Sequence, residues 1–91
     1  MGNGDDIADL ASGDDEVSGG EGKDKIKGRG GDDQLEAGEG NDLVRGGGGE
    51  DFISGGDGQD LLYDGAGSEV IVGGFGIDQL LGRYGRDELY C

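Results

Sequence analysis

Proline, histidine and tryptophan are absent from the chain, and cysteine occurs once, as the last residue, Cys91. Without histidine there is no imidazole for a catalytic triad, a metalloprotease or a zinc or copper site. One cysteine closes no internal disulfide; nothing nearby activates Cys91, which reads as an added or incidental thiol that could at most link two chains. Basic residues are few, seven against 22 acidic ones, for a formal net charge of −15. That balance argues against nucleic acid and against an anionic membrane surface as partners. Apolar runs such as 70–72 are far too short to cross a bilayer, and no N-terminal signal-peptide pattern is present. Enzyme motifs are missing too. The third glycine of G-x-G-x-x-G never arrives, there is no G-K-[ST], and no EF-hand loop with its spaced Glu occurs. The chain is expected not to be an enzyme.

What the chain has in abundance is glycine, 25 of 91 residues. Together with 31% hydrophobic content, that composition alone would describe a disordered segment. The order of the residues says otherwise. Glycine recurs at every ninth position from Gly4 to Gly85, and two places after each stands an acid. The acids are Asp6, Asp15, Asp24, Asp33, Asp42, Asp51, Asp60, Glu69, Asp78 and Asp87. Two residues further comes an aliphatic side chain each time, from Ala8 and Val17 to Leu80 and Leu89. Ten nine-residue units fill residues 1–90 as one domain, with Cys91 outside. A period this strict defines a repeat architecture.

Each unit reads x-G-x-G-x-D-x-U-x, with U aliphatic. The first six positions carry loop chemistry, and the last three suit a short strand with its middle side chain turned inward. Glycine is too frequent for helix, and an apolar residue every nine positions makes no helical stripe. A three-residue strand is useless alone, so the units must stack. One loop and one strand per unit give an 18-residue turn, about five turns, and an all-β parallel solenoid with two facing sheets. Ala8, Ile26, Val44, Leu62 and Leu80 form one interior column; Val17, Leu35, Ile53, Ile71 and Leu89 form the other. So thin a core does not offset the ordering entropy of the chain, and a chain of this size needs a staple.

The acids supply it. Stacking at about 4.8 Å puts Asp6, Asp24, Asp42, Asp60 and Asp78 in one row and Asp15, Asp33, Asp51, Glu69 and Asp87 in another. Like charges at that spacing require cations between them. Hard carboxylate and carbonyl oxygens on flexible loops suit Ca2+; magnesium is smaller, holds its water and suits them less. Five loops per side leave four gaps, so eight ions are the maximum, and their sixteen charges nearly cancel the formal −15.

At this point the units 19–27, GGEGKDKIK, and 55–63, GGDGQDLLY, are seen to match the GGxGxDxUx nonapeptide, and the whole chain resembles the RTX repeat family. The resemblance implies a right-handed parallel β-roll that is disordered without calcium and folded with it. It implies the setting of extracellular proteins exported by type I secretion, folding on reaching calcium-rich surroundings. It also implies ligands: carbonyls of Gly2 and Gly4 and the Asp6 carboxylate, facing Gly19, Glu21 and Asp24 of the next turn. On the other side it implies Ala11, Gly13 and Asp15 with Gly28, Gly30 and Asp33. The same scheme continues through the carbonyls of Gly20, Gly22, Gly31, Gly38, Gly40, Gly47, Gly49, Gly56 and Gly58. Ala11 and Arg29 stand where the pattern prefers glycine, so strain is expected at both. Glu69 replaces Asp and changes reach, which makes six ions the safer count and the pairs Asp51/Glu69 and Glu69/Asp87 the weakest. Met1, Leu10 and the small Ala8 suggest a fraying first turn, and no C-terminal cap or secretion signal follows unit ten.

Leu61, Tyr63 and Leu81 are expected on the outside of one sheet, and Phe52, Val70, Val72 and Tyr90 on the other. They offer a face for face-to-face self-association, as the open last turn does for end-to-end pairing. The run Lys23, Lys25, Lys27 and Arg29 reads as a solvated surface that relieves repulsion. Two functional readings stand: a calcium-folded β-roll, and a structural or adhesive solenoid scaffold indifferent to calcium. The unbroken phase, the Met start and the terminal Cys favour a synthetic origin slightly over a natural secreted one.

Overall fold

Around each aliphatic position the chain alternates one inward side chain with two outward flanks, and a strand forms there. The computed structural model describes residues 2–76, 78–81 and 88–90, with backbone only for Asp64 and residues 88–90. Asp87, Cys91 and Met1 lie outside the described residues, as do the side chains of Leu89 and Tyr90. The described strands are β1 (Gly2–Asn3), β2 (Ile7–Asp9), β3 (Glu16–Ser18), β4 (Gly20–Glu21), β5 (Lys25–Lys27) and β6 (Gln34–Glu39). They continue with β7 (Leu43–Gly48), β8 (Phe52–Asp57), β9 (Leu61–Ala66), β10 (Val70–Val72), β11 (Gln79–Leu81) and β12 (Glu88–Tyr90). No helix occurs among the described residues.

Every pairing is parallel and joins residues 18 apart, as Ile26 with Val44 and Leu35 with Ile53. Strands β2, β5, β7, β9 and β11 make a five-stranded sheet; β1, β3, β4, β6, β8, β10 and β12 make the seven-stranded sheet opposite. The fold is a parallel β-solenoid. The five-stranded sheet takes four steps from β2 to β11, so about four turns are described where ten units predict about five.

The core is the pair of predicted columns. Ile26, Leu35, Val44, Ile53, Leu62 and Ile71 are buried, while Ala8, Val17 and Leu80 pack on them partly exposed. Ala37 joins them, fully buried, from the first position of its unit.

The structure corrects the sequence reading at the loops. In the central turns the strand runs on through the first three positions of the next unit, to six residues in β6 through β9. The second-position glycine allows this: Gly38 and Gly56 pair in register at φ of 100° and 87°, so the ladder bends at the corner without breaking. The loops are also well bonded. Gly22 N–H donates to the Glu39 carbonyl at 3.0 Å, Gly40 to Asp57 at 2.9 Å and Gly58 to Phe75 at 3.0 Å. Of the two described non-glycine residues at the second position, Arg29 takes the left-handed backbone, φ 70°, and is the one described non-glycine residue to do so. Ala11 does not.

Candidate metal centre

The register stacks the sixth-position acids into two rows. Asp24, Asp33, Asp42, Asp51, Asp60 and Glu69 are all 3% exposed or less, and Asp6, Asp15 and Asp78 are partly exposed at the ends. Within a row, each carboxylate leans toward the turn before it. Oδ1 of Asp24 accepts the Asp6 amide at 2.9 Å, Asp42 that of Asp24 at 2.8 Å, Asp60 that of Asp42 at 2.9 Å and Asp78 that of Asp60 at 3.0 Å. In the second row Asp33 accepts from Asp15 at 2.8 Å and Asp51 from Asp33 at 2.9 Å.

The other oxygen is left over. Oδ2 of Asp24, Asp33, Asp42 and Asp60 is buried without a hydrogen-bond partner. An ionised carboxylate in that state is costly. Burial accordingly pushes the carboxyls of Asp33 and Asp42 above their ordinary range and lifts Asp60 to about 7, against the opposing pull of the amide each one accepts. Neighbouring carboxylates add to the rise, Asp42 and Asp78 acting on Asp60.

These oxygens border small cradles. A Cβ placed on Gly28 would lie 2.6 Å from both Asp33 Oδ2 and the Gly46 carbonyl; one on Gly55 would lie 2.6 Å from Asp60 Oδ2 and 2.7 Å from the Gly73 carbonyl. Gly19 repeats the arrangement with Asp24 Oδ2 at 2.7 Å and the Ala37 carbonyl. First-position glycine thus leaves carboxylate and carbonyl oxygens facing one space, with no methyl between them. The carbonyls of Ala37, Gly46 and Gly73 were missing from the ligand set that the resemblance implies. The signal was the period itself, since Gly19 and Gly28 of that set hold the same first position in their units.

The other candidate carbonyls divide by position. At the second position, Arg29 accepts from the Gly48 amide at 2.7 Å and Gly56 from Phe75 at 3.1 Å, so these carbonyls already serve the ladder. At the fourth, Gly4, Gly13, Gly22, Gly31, Gly40 and Gly49 each press their carbonyl on the fourth-position glycine one turn on, leaving no room for a Cβ there. Gly20, Gly38 and Gly47 press likewise on the second-position glycine above. Glu69 keeps its row buried, but its Oε1 lies 2.7 Å from where a Cβ on Gly67 would stand, a consequence of the longer side chain.

A second ladder runs beside the first, unanticipated in the sequence. The fifth-position side chain accepts from the fifth-position amide of the following turn: Lys23 N–H to Asp5, Asp32 to Asp14, Glu50 to Asp32 and Gln59 to Asn41, each at 2.8 Å. Asp and Asn at this position were the available signal. Arg29 contributes a surface tie as well. Its guanidinium grips Asp9 at two points, one of them Nη2 to Oδ2 at 2.8 Å, which holds the Asp9 carboxyl below its usual range.

Among the described residues, no three acidic, histidine or cysteine side chains converge on one point. The oxygens that face the cradles are those of carboxylates and carbonyls, and a donor set of hard oxygens fits Ca2+. No described helix is long and apolar enough to cross a membrane.

Fold and rows together define a parallel β-solenoid with acidic loops stacked in register, a structural rather than a catalytic arrangement. The chain belongs to the RTX calcium-binding nonapeptide repeat family, which matches it in four copies, at residues 2–35, 11–44, 27–62 and 63–90. No curated protein and no solved structure matches it. Family and fold fit a calcium-binding β-roll.

Proposed function

We propose that calcium drives this chain to fold, with ions held between the loops of successive turns. The observation that carries the reading is the set of buried Oδ2 atoms in both rows, on Asp24, Asp33, Asp42 and Asp60, which lack any hydrogen-bond partner. Asp6 with Asp24, Asp24 with Asp42, Asp42 with Asp60 and Asp60 with Asp78 would hold ions on one side. Asp15 with Asp33 and Asp33 with Asp51 would hold them on the other, and the Glu69 pairs complete a total of six to eight. A bound Ca2+ supplies the positive charge that lets carboxylates stack at strand spacing. RTX repeats occur in secreted proteins, and we extend that setting to this chain: synthesis as a coil where calcium is scarce, folding where it is plentiful.

Far-UV circular dichroism during a calcium titration from chelator, with magnesium as control, tests the reading. Cooperative conversion of coil to β with calcium alone is the expected result. The calcium-independent scaffold has its own support, since amide-to-side-chain bonds already join successive central turns. A β spectrum already present in chelator would favour it.

A further inference from the structure

The two outer faces of the solenoid carry opposite charge. On the five-stranded sheet, outward positions hold Lys25, Lys27 and Arg45, all exposed, with Lys23 and Arg29 bordering them and the outward acid Asp9 tied to Arg29. All the described basic residues lie on this side. The outward positions of β3 and β6 hold Glu16, Gln34 and Glu36, and the described outer side chains of the seven-stranded sheet include no base.

Beyond the first strand, charge precedes apolar surface along both faces. On the basic face Ile7 and Asp9 of β2 come first, then Lys25 and Lys27, and Leu61, Tyr63 and Leu81 follow in register. Arg45 stands between the two zones, its guanidinium 5.3 Å from the centre of the Tyr63 ring. On the acidic face Glu16 and Glu36 come first, then Phe52, Val70 and Val72. Phe52 is 43% exposed and Leu81 42%, more than a covered strand surface requires.

One arrangement satisfies both patterns. A copy moved sideways without rotation sets its glutamates on the lysines of its neighbour, and its Phe52 and Val70 on Leu61 and Tyr63. Inverting the copy would put charge on apolar surface, and pairing like faces would put lysine on lysine. We propose that the outer face of the five-stranded sheet docks the outer face of the seven-stranded sheet of a second copy of this chain, with parallel axes. The solenoid measures 31 × 26 × 13 Å. Its broad faces thus offer at most roughly 800 Å² per partner, the size of a standard specific interface. Because the two docking faces differ, the contact does not close on itself, and copies add in rows.

The proposal needs the folded roll and goes beyond calcium binding. Sedimentation velocity is measured in calcium and a thiol reductant, which keeps Cys91 from linking chains, with circular dichroism on the same samples. The mass should grow with concentration past the dimer and fall back at high salt. Lys27→Glu with Tyr63→Ser disables the basic face, and Glu36→Lys with Phe52→Ser disables the acidic one. Each variant alone should stay monomeric, and an equal mixture should form a heterodimer that grows no further. Should either variant lose its β spectrum, Lys27→Gln and Glu36→Gln take their place, with an expected loss of about tenfold in association. A parent that stays monomeric, or a single-face variant that still dimerises, overturns the proposal. So does a monomeric parent that binds polyglutamate, which would make the basic face a site for an acidic polymer. A coil spectrum in calcium would sink the folding reading and remove the faces with it.

Discussion

Asp42 stands one turn beyond Asp24 and takes the Asp24 amide hydrogen on Oδ1 at 2.8 Å, while its own Oδ2 is buried without a hydrogen-bond partner. One oxygen fixes the spacing of the turns, and the other carries the unsolved charge. Asp42→Asn separates these roles, since the amide oxygen can still accept from Asp24. Calcium affinity should fall by about tenfold or more, because ligand charge count sets affinity at such sites. In chelator the same variant should be more β-rich than the parent, as the buried charge is gone. Calcium titrations followed by circular dichroism read both effects.

The first-position cradle gives a second test. Gly55 has ordinary φ, so Gly55→Ala adds only a methyl, 2.6 Å from Asp60 Oδ2 and 2.7 Å from the Gly73 carbonyl. It should weaken calcium binding by about tenfold, the usual effect of disturbing the support of a metal site. Ala37 carries such a methyl already, fully buried in the unit of Asp42. Ala37→Gly should therefore tighten binding. Isothermal titration calorimetry on the pair decides whether the two changes run in opposite directions.

Acid should partly replace calcium. The folded-state carboxyls of Asp33 and Asp42 are raised and that of Asp60 reaches about 7, against about 4 for an unfolded aspartate. A raised acid favours the fold most fully below the unfolded value, and the benefit disappears as pH climbs through the folded one. In chelator the β signal should grow as pH falls from about 8 to about 4. Calcium affinity should rise over the same window in the opposite direction. A chelated chain that stays coil throughout this range would refute the assignment of buried charge as the obstacle to folding.

The exposed fifth-position ladder should matter modestly. Asp32→Ala frees the Glu50 amide and Asn41→Ala that of Gln59. Each should cost about 1 kcal/mol, the net worth of a typical hydrogen bond. Urea unfolding in saturating calcium measures it. Calcium stoichiometry should not change, which distinguishes these residues from the sixth-position acids.

The ninefold period made the two sheets, the 18-residue register and both interior columns legible, because each follows from where Ile26, Leu35, Val44 and Ile53 recur. The rows of acids were legible for the same reason. What the period concealed was the use of the loop backbone. Whether the Gly38 region belongs to a loop or to a strand depends on the bend that a positive φ permits, and the letter G is the same for both. Ala37 stands at a position that is glycine in most units, yet it is buried core. Arg29 and Ala11 occupy the same phase, but only Arg29 adopts the left-handed backbone, where the Gly48 amide holds its carbonyl and Asp9 its guanidinium.

Because every strand pairing between turns joins residues 18 apart, the solenoid tolerates changes of length unequally. Removing 18 residues from the middle would delete one turn and leave each survivor facing an equivalent neighbour. Removing nine would keep the glycines and acids in phase but send all later units to the opposite sheet. Leu61 and Tyr63 would then continue the acidic face, and Phe52 and Val70 would change sides. Recombination among such repeats can thus alter length without altering surface, or scramble the surface while preserving the fold.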